Sequence, residues 1–144
     1  MSKMIFVNLP VTDLPRSMAF YEAVGFTNEP KFTNENAACM VWSETICVML
    51  LVHDFWKTFT DKPIPDAHEN SQVMLCVTIG EREGVDAIVD AAVAAGGKAD
   101  PGPVQDASFM YGRSFEDPDG HVWEPMWMDP AFAERGAHPE PAGA

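Results

Sequence analysis

Basic side chains are scarce. Lys and Arg number nine against 22 Asp and Glu, and the formal net charge is −13. Phosphate backbones are gripped by Lys and Arg with release of counter-ions, so this balance argues against a nucleic-acid partner. It also disfavours an anionic membrane surface. No stretch approaches the roughly 18 uninterrupted apolar residues of a membrane span. The opening Met1-Ser2-Lys3-Met4-Ile5-Phe6-Val7-Asn8 has no basic flank before a long apolar run, so no leader is read and a cytoplasmic location is expected. Cysteine is sparse as well: Cys39, Cys47 and Cys76 are odd in number and lack paired spacing, which supports neither a disulfide framework nor a zinc knuckle. Their apolar neighbours predict buried free thiols.

What is present suffices for one domain. The chain has 144 residues, 47% of them apolar and 22% charged. Its order of elements repeats. Ile5 to Val11 and Val73 to Ile79 alternate apolar residues as half-buried strands do. A helix follows each. In the first, Asp13 can cap, Pro15 fits the first turn, Leu14, Met18 and Tyr21 share a face, and Gly25 stops it. In the second, Glu81 and Glu83 stand at the positive end, Val85, Ile88, Val89 and Ala92 form the apolar stripe, and Gly96-Gly97 ends it.

Strands are then expected over 38–42 and 45–52 in the first half, and over 109–115 and 121–128 in the second, with weaker extended segments at 27–33 and 98–104. Glu116-Asp117-Pro118-Asp119-Gly120 reads as a turn, Pro presetting one torsion and Gly accepting positive φ. The reading is a single domain over 1–130, built of two βαβββ modules at about 4–52 and 72–128. The aromatic, Pro-containing connector 53–71 is expected as a loop or short helix covering a pocket or a partner, and 131–144 as a frayed tail.

Two motifs carry a family resemblance. Val11-x-Asp13-Leu14-x-Arg16-Ser17-x-x-Phe20-Tyr21 with Gly25-Phe26 resembles the first strand–helix signature of vicinal-oxygen-chelate proteins. Phe115-x-Asp117-Pro118-Asp119-Gly120-His121-x-Trp123-Glu124 resembles their closing hairpin. The resemblance, which spans residues 4–130, implies an α+β fold of paired βαβββ modules, as in glyoxalase, bleomycin-resistance and dihydroxybiphenyl dioxygenase proteins, with sheets curled around a cleft. It also implies a homodimer, often with modules exchanged.

The resemblance places the family's metal ligands at Phe6, Met49, Gln72 and Glu124. Phenylalanine binds no metal, methionine is a soft ligand, and one amide with one carboxylate is too little for zinc or calcium. The expectation is therefore no cofactor and no divalent metal; if one binds, Gln72 and Glu124 hold it. His53 and His68 lie in the connector and His138 in the tail, and strand alternation turns His121 away from Glu124. An inward Glu124 would be a candidate general base, or equally a structural carboxylate paired with Gln72 or Arg113. Arg113 either binds an anion from within or stands as a surface charge. Phe6, Met49, Gln72, Met110 and Arg113 are the candidate cleft residues; Trp42, Trp123 and Trp127 could line an apolar pocket or simply fill the core.

Two functions follow. One is a metal-free protein that binds a small organic molecule in its cleft, in the manner of the bleomycin-resistance branch. The alternative is a lyase or isomerase of the glyoxalase type, metal-dependent or relying on Glu124.

Overall fold

The computed structural model describes residues 2–136. Strand β1 (Ile5–Val11) turns Leu9 and Val11 into the core and leaves Phe6 and Asn8 outside, as alternation dictates. Asp13 caps α1 (Leu14–Ala23) by accepting from the Arg16 amide at 3.1 Å, and Leu14, Ser17, Phe20 and Tyr21 form its buried face. Next come β2 (Thr27–Glu29), a 3-10 turn at Pro30–Phe32, β3 (Ala37–Ser43) and β4 (Ile46–Val52). They form a sheet in the order β1-β4-β3-β2, with β1 and β4 parallel and Asn8 level with Met49.

A short helix, α2 (His53–Trp56), opens the connector. The second module holds β5 (Met74–Thr78), α3 (Arg82–Ala94), β6 (Lys98–Ala99), β7 (Gln105–Ala107), β8 (Met110–Gly112), β9 (Phe115–Glu116) and β10 (Val122–Met128). Here β5 lies parallel to β10, as β1 lies to β4, so the two halves repeat one topology. The α+β architecture of paired βαβββ modules is the observed one.

Four local expectations need correcting. The strand expected over 109–115 is cut at Arg113-Ser114 into β8 and β9. Its neighbour β10 carries Pro125 there, which offers a carbonyl to the Arg113 amide at 3.2 Å but has no N–H to return. The 98–104 segment is a strand only over Lys98–Ala99, and β7 was not foreseen. The segment 27–33 is part strand and part 3-10 turn. The tail is not frayed throughout: Asp129 caps a further helix, α4 (Pro130–Arg135), accepting from the Ala131 amide at 2.8 Å. His138 and the remainder of the tail, 137–144, lie outside the described residues.

The core lies where α1 meets both sheets. Phe20, Tyr21, Phe26, Phe115 and Trp123 meet edge to face or tilted, with ring centroids 5.2–5.9 Å apart. Trp123, 2% exposed, is therefore a core residue, and Trp42 packs on Phe26 at its margin. Trp127 lies on the α3 side under the Arg82 guanidinium. Trp123 and Trp127 thus serve packing, whereas Trp42 also borders a surface recess with Val24, Gly25 and Ile79.

Candidate functional site

The Asp117–His121 turn does more than reverse the chain. Asp117, 2% exposed, accepts from Tyr21 Oη at 2.6 Å and, through its other oxygen, from the Asp119 and His121 amides, both at 2.9 Å. Trp123 Nε1 donates to Tyr21 Oη at 3.0 Å. Asp119 in turn accepts from the Thr12 amide at 3.1 Å and hydroxyl at 2.7 Å, at the entry to α1. One carboxylate thus organises the turn, and a second fastens it to the first module. Burial pushes the Asp117 carboxyl above its usual range, against the opposing His121 charge and the Tyr21 hydrogen bond. Burial, then the Asp117 charge, raises Tyr21 well above the usual tyrosine value.

His121 completes the joint. Its Nε2 lies 2.8 Å from the Pro10 carbonyl oxygen, which can only accept, so this nitrogen carries the proton. A cleft of about 660 Å³ opens beside this contact, between β1, the connector and the start of β10. Asn8, Gln72 and His121 supply polar groups, and Pro10, Trp56 and Val122 supply apolar wall. An adjoining recess of about 480 Å³ gathers His53, His68 and His121 with Arg16, Asp66 and Asp119. The connector histidines, which lie outside the strand alternation, therefore border the same recess as His121. Only the turn motif hinted at this, because contacts across 50 to 70 residues leave no periodic trace.

Gly120 fixes the fit between turn and connector. Its φ is +94°, and a Cβ there would stand 2.6 Å from the His68 nitrogen and 2.7 Å from the Ala67 carbonyl carbon. Only glycine tolerates both conditions.

The predicted site residues are dispersed. Gln72 lines the junction cleft, whereas Glu124 and Met110 line a separate small cavity on the second sheet. Phe6 and Met49 belong to the first sheet; Phe6 is 53% exposed. Gln72 lies two residues before β5, whereas Glu124 is level with Cys76 inside it, so the two positions are not neighbours in the sheet. Phe6 has no donor atom. The four family positions accordingly do not fit a divalent metal. Among the described residues no group of three or more His, Cys, Asp or Glu side chains is placed to hold a metal ion.

Arg113 faces α3. It binds Asp100 through Nε at 3.1 Å and Nη2 at 2.7 Å, and Asp86 through Nη1 at 2.9 Å. Its guanidinium raises no hand toward Glu124; it is a tie between α3, β6 and β8. It holds the Asp86 and Asp100 carboxyls below their usual range, hydrogen bonding being the main cause, with Tyr111 first at Asp86. Depressed carboxyls stabilise above their unfolded value, about 3.9, and lose that contribution as pH falls through the folded value. Arg113→Ala should therefore narrow its stability gap from wild type below about pH 4. Chemical denaturation at pH 3 and pH 7 measures the gap.

The thiols need one correction. Cys39 and Cys47 are buried, but Cys76 is exposed. Partial desolvation by its strand neighbours, then the Glu124 charge, raises its thiol above the usual value.

The repeat and its parallel β1–β4 and β5–β10 pairs can now be set against known structures. A glyoxalase/bleomycin resistance protein/dioxygenase family enzyme from Burkholderia phytofirmans PsJN superposes with TM-score 0.71 at 20% identity, covering 88% of this chain and 99% of that one. The chain has the fold of the glyoxalase/bleomycin resistance protein/dioxygenase structures. A glyoxalase-related enzyme from Fulvimarina pelagi is similar, with TM-score 0.72, 19% identity and 88% of each chain covered. So is a hypothetical protein from S. aureus, with TM-score 0.73, 24% identity, and 88% of this chain and 94% of that one covered. The family described as bleomycin resistance protein-like N-terminal matches residues 3–43 of the chain. No curated protein matches the chain significantly in sequence. Among the described residues no helix is long and apolar enough to cross a membrane.

Proposed function

We propose that the chain is a binding protein for a small organic molecule, held in the junction cleft without a divalent metal. The observation that carries this reading is the cleft of about 660 Å³, whose wall combines Pro10, Trp56 and Val122 with polar side chains that include Asn8, Gln72 and His121. That size and composition suit a small organic ligand. The acidic surface favours a cationic or neutral aromatic compound over an anion. Trp56 in the cleft wall gives the test. Titration with cationic aromatic compounds should quench tryptophan fluorescence saturably, and Trp56→Phe should remove most of the change. If no compound perturbs Trp56, or Trp56→Phe leaves the change intact, the cleft is not the binding site.

The functional unit in this reading is a homodimer in the cytoplasm. Ile5 and Phe6 on β1, with Val73 and Met74 at β5, are each more than half exposed. Both strands are sheet edges, and exposed apolar edges of this kind are ordinarily covered. Phe6→Asp should convert dimer to monomer at micromolar concentration in sedimentation velocity. A wild-type monomer at that concentration would contradict the assignment.

A lyase or isomerase reading retains one specific support. The half-buried Glu124 carboxylate has no hydrogen-bond or ion-pair partner among the described residues, so its oxygens are not committed to another group. Under that reading Glu124→Gln would abolish turnover of a carbonyl substrate while ligand quenching at Trp56 persists.

A further inference from the structure

A recess beside the junction cleft carries two carboxylates and no cation. Along β10, Trp123 and Pro125 are buried, so Val122 and Glu124 point to the opposite face. Phe115 of β9 is buried likewise, which turns Glu116 to that same face, level with Val122. Glu116 and Glu124 are thus diagonal neighbours on paired strands. Such positions stand roughly 7–8 Å apart, within reach of one shared group for long side chains. Neither carboxylate has a hydrogen-bond or ion-pair partner among the described residues, and Lys98, opposite Glu116 on β6, does not pair with it. Both line a recess of about 280 Å³ under the connector, where His68 and Glu69 are the other titratable groups and no Lys or Arg reaches the wall. The recess runs into the junction cleft, since Ala67, Asn70, Ser71 and Val122 border both.

We infer that the ligand of the junction cleft is an arylalkyl amine, its ring seated beside Trp56 and its ammonium group held between Glu116 and Glu124. This rests on the cleft reading above and names the class of compound. Two half-buried carboxylates on neighbouring strands repel each other, and a monocation between them is attracted to both. A metal ion is the poorer occupant, because among the described residues no three His, Cys, Asp or Glu side chains are placed to hold one. A quaternary ammonium group is disfavoured as well. Such groups are recognised by aromatic cages, and no aromatic residue lines the recess. Carboxylates instead accept the N–H bonds of a primary or secondary amine, and charge-assisted bonds of this kind are the strong ones.

The test is isothermal titration calorimetry of the full chain with phenylalkyl amines of two- to six-carbon chain, each beside its alcohol and its trimethylammonium counterpart. The best amine should bind at least tenfold tighter than either counterpart. Glu116→Gln and Glu124→Gln should each weaken that amine at least threefold, and together at least tenfold, with the alcohol unchanged. Gln keeps the shape and neither carboxylate has a bond to lose, so folding is retained and circular dichroism checks it. Trp56→Ala should weaken amine and alcohol alike. Equal affinity for amine and alcohol, or an amine preference that survives the double substitution, would overturn the inference and leave the cleft reading standing. Failure of every amine in the series to bind would overturn it too, the cleft then being judged by Trp56 quenching with other compounds. A preference that needs both carboxylates but ignores Trp56→Ala would sink the cleft reading and keep the ammonium site.

Discussion

Asp117→Ala is expected to cost about 3–5 kcal/mol of unfolding free energy, because it strips three donors of their common acceptor in a buried joint. Tyr21 Oη and the amides of Asp119 and His121 all lose their partner. Hydrogen bonds to a charged group contribute about 1.5–3 kcal/mol each, though such values do not add fully. A domain of this size holds only about 5–15 kcal/mol in total, so the variant should sit near its folding threshold. Urea denaturation followed by tryptophan fluorescence measures the loss. A change below about 1 kcal/mol would mean that the turn holds the modules by other contacts.

Asp117→Asn separates charge from shape. The folded carboxyl titrates above its unfolded value because burial penalises the anion. A group raised in this way contributes most below its unfolded pKa, about 3.9, and that contribution is lost as pH rises through the folded pKa. Asn cannot ionise. The stability difference between wild type and Asp117→Asn should therefore shift against wild type as pH climbs from about 4 toward neutrality. A difference that is flat across that range would place the folded pKa at its ordinary value.

Gly120→Ala has the next largest expected effect, about 2–4 kcal/mol, and it should also open the cleft. The positive φ alone costs about 1–3 kcal/mol for a residue with a Cβ. The new methyl group also meets main-chain atoms of Ala67 and His68 rather than a flexible side-chain end. Relief requires the connector to move off the turn, and the connector supplies Trp56, Pro65 and Ala67 to the cleft. Faster proteolytic cleavage within residues 57–71 and lost ligand quenching should accompany the fall in stability. Loss of stability with cleavage and quenching unchanged would show that the strain is absorbed within the turn.

The sequence was legible wherever local rules dominate. Asp13 and Gly25 bracket α1, alternation from Ile5 to Val11 marks β1, and the Asp117-Pro118-Asp119-Gly120 turn is where the residues place it. It was less legible at Arg113-Ser114, where the break depends on Pro125 in the neighbouring strand. Arg113 was ambiguous for the same reason, since its partners Asp86 and Asp100 come from another helix and another edge.

By itself, the sequence determined the paired modules, the acidic surface and the unsuitability of Phe6 for any metal, because propensity, periodicity and donor chemistry act at single residues or short range. Only the tertiary structure decided that Gln72 and Glu124 lie in different cavities, that His53, His68 and His121 border one recess, and that Asp117 joins the modules. Those facts depend on strand register and on how the connector crosses the turn. Both are set by burial and steric fit between distant segments, which no local pattern encodes.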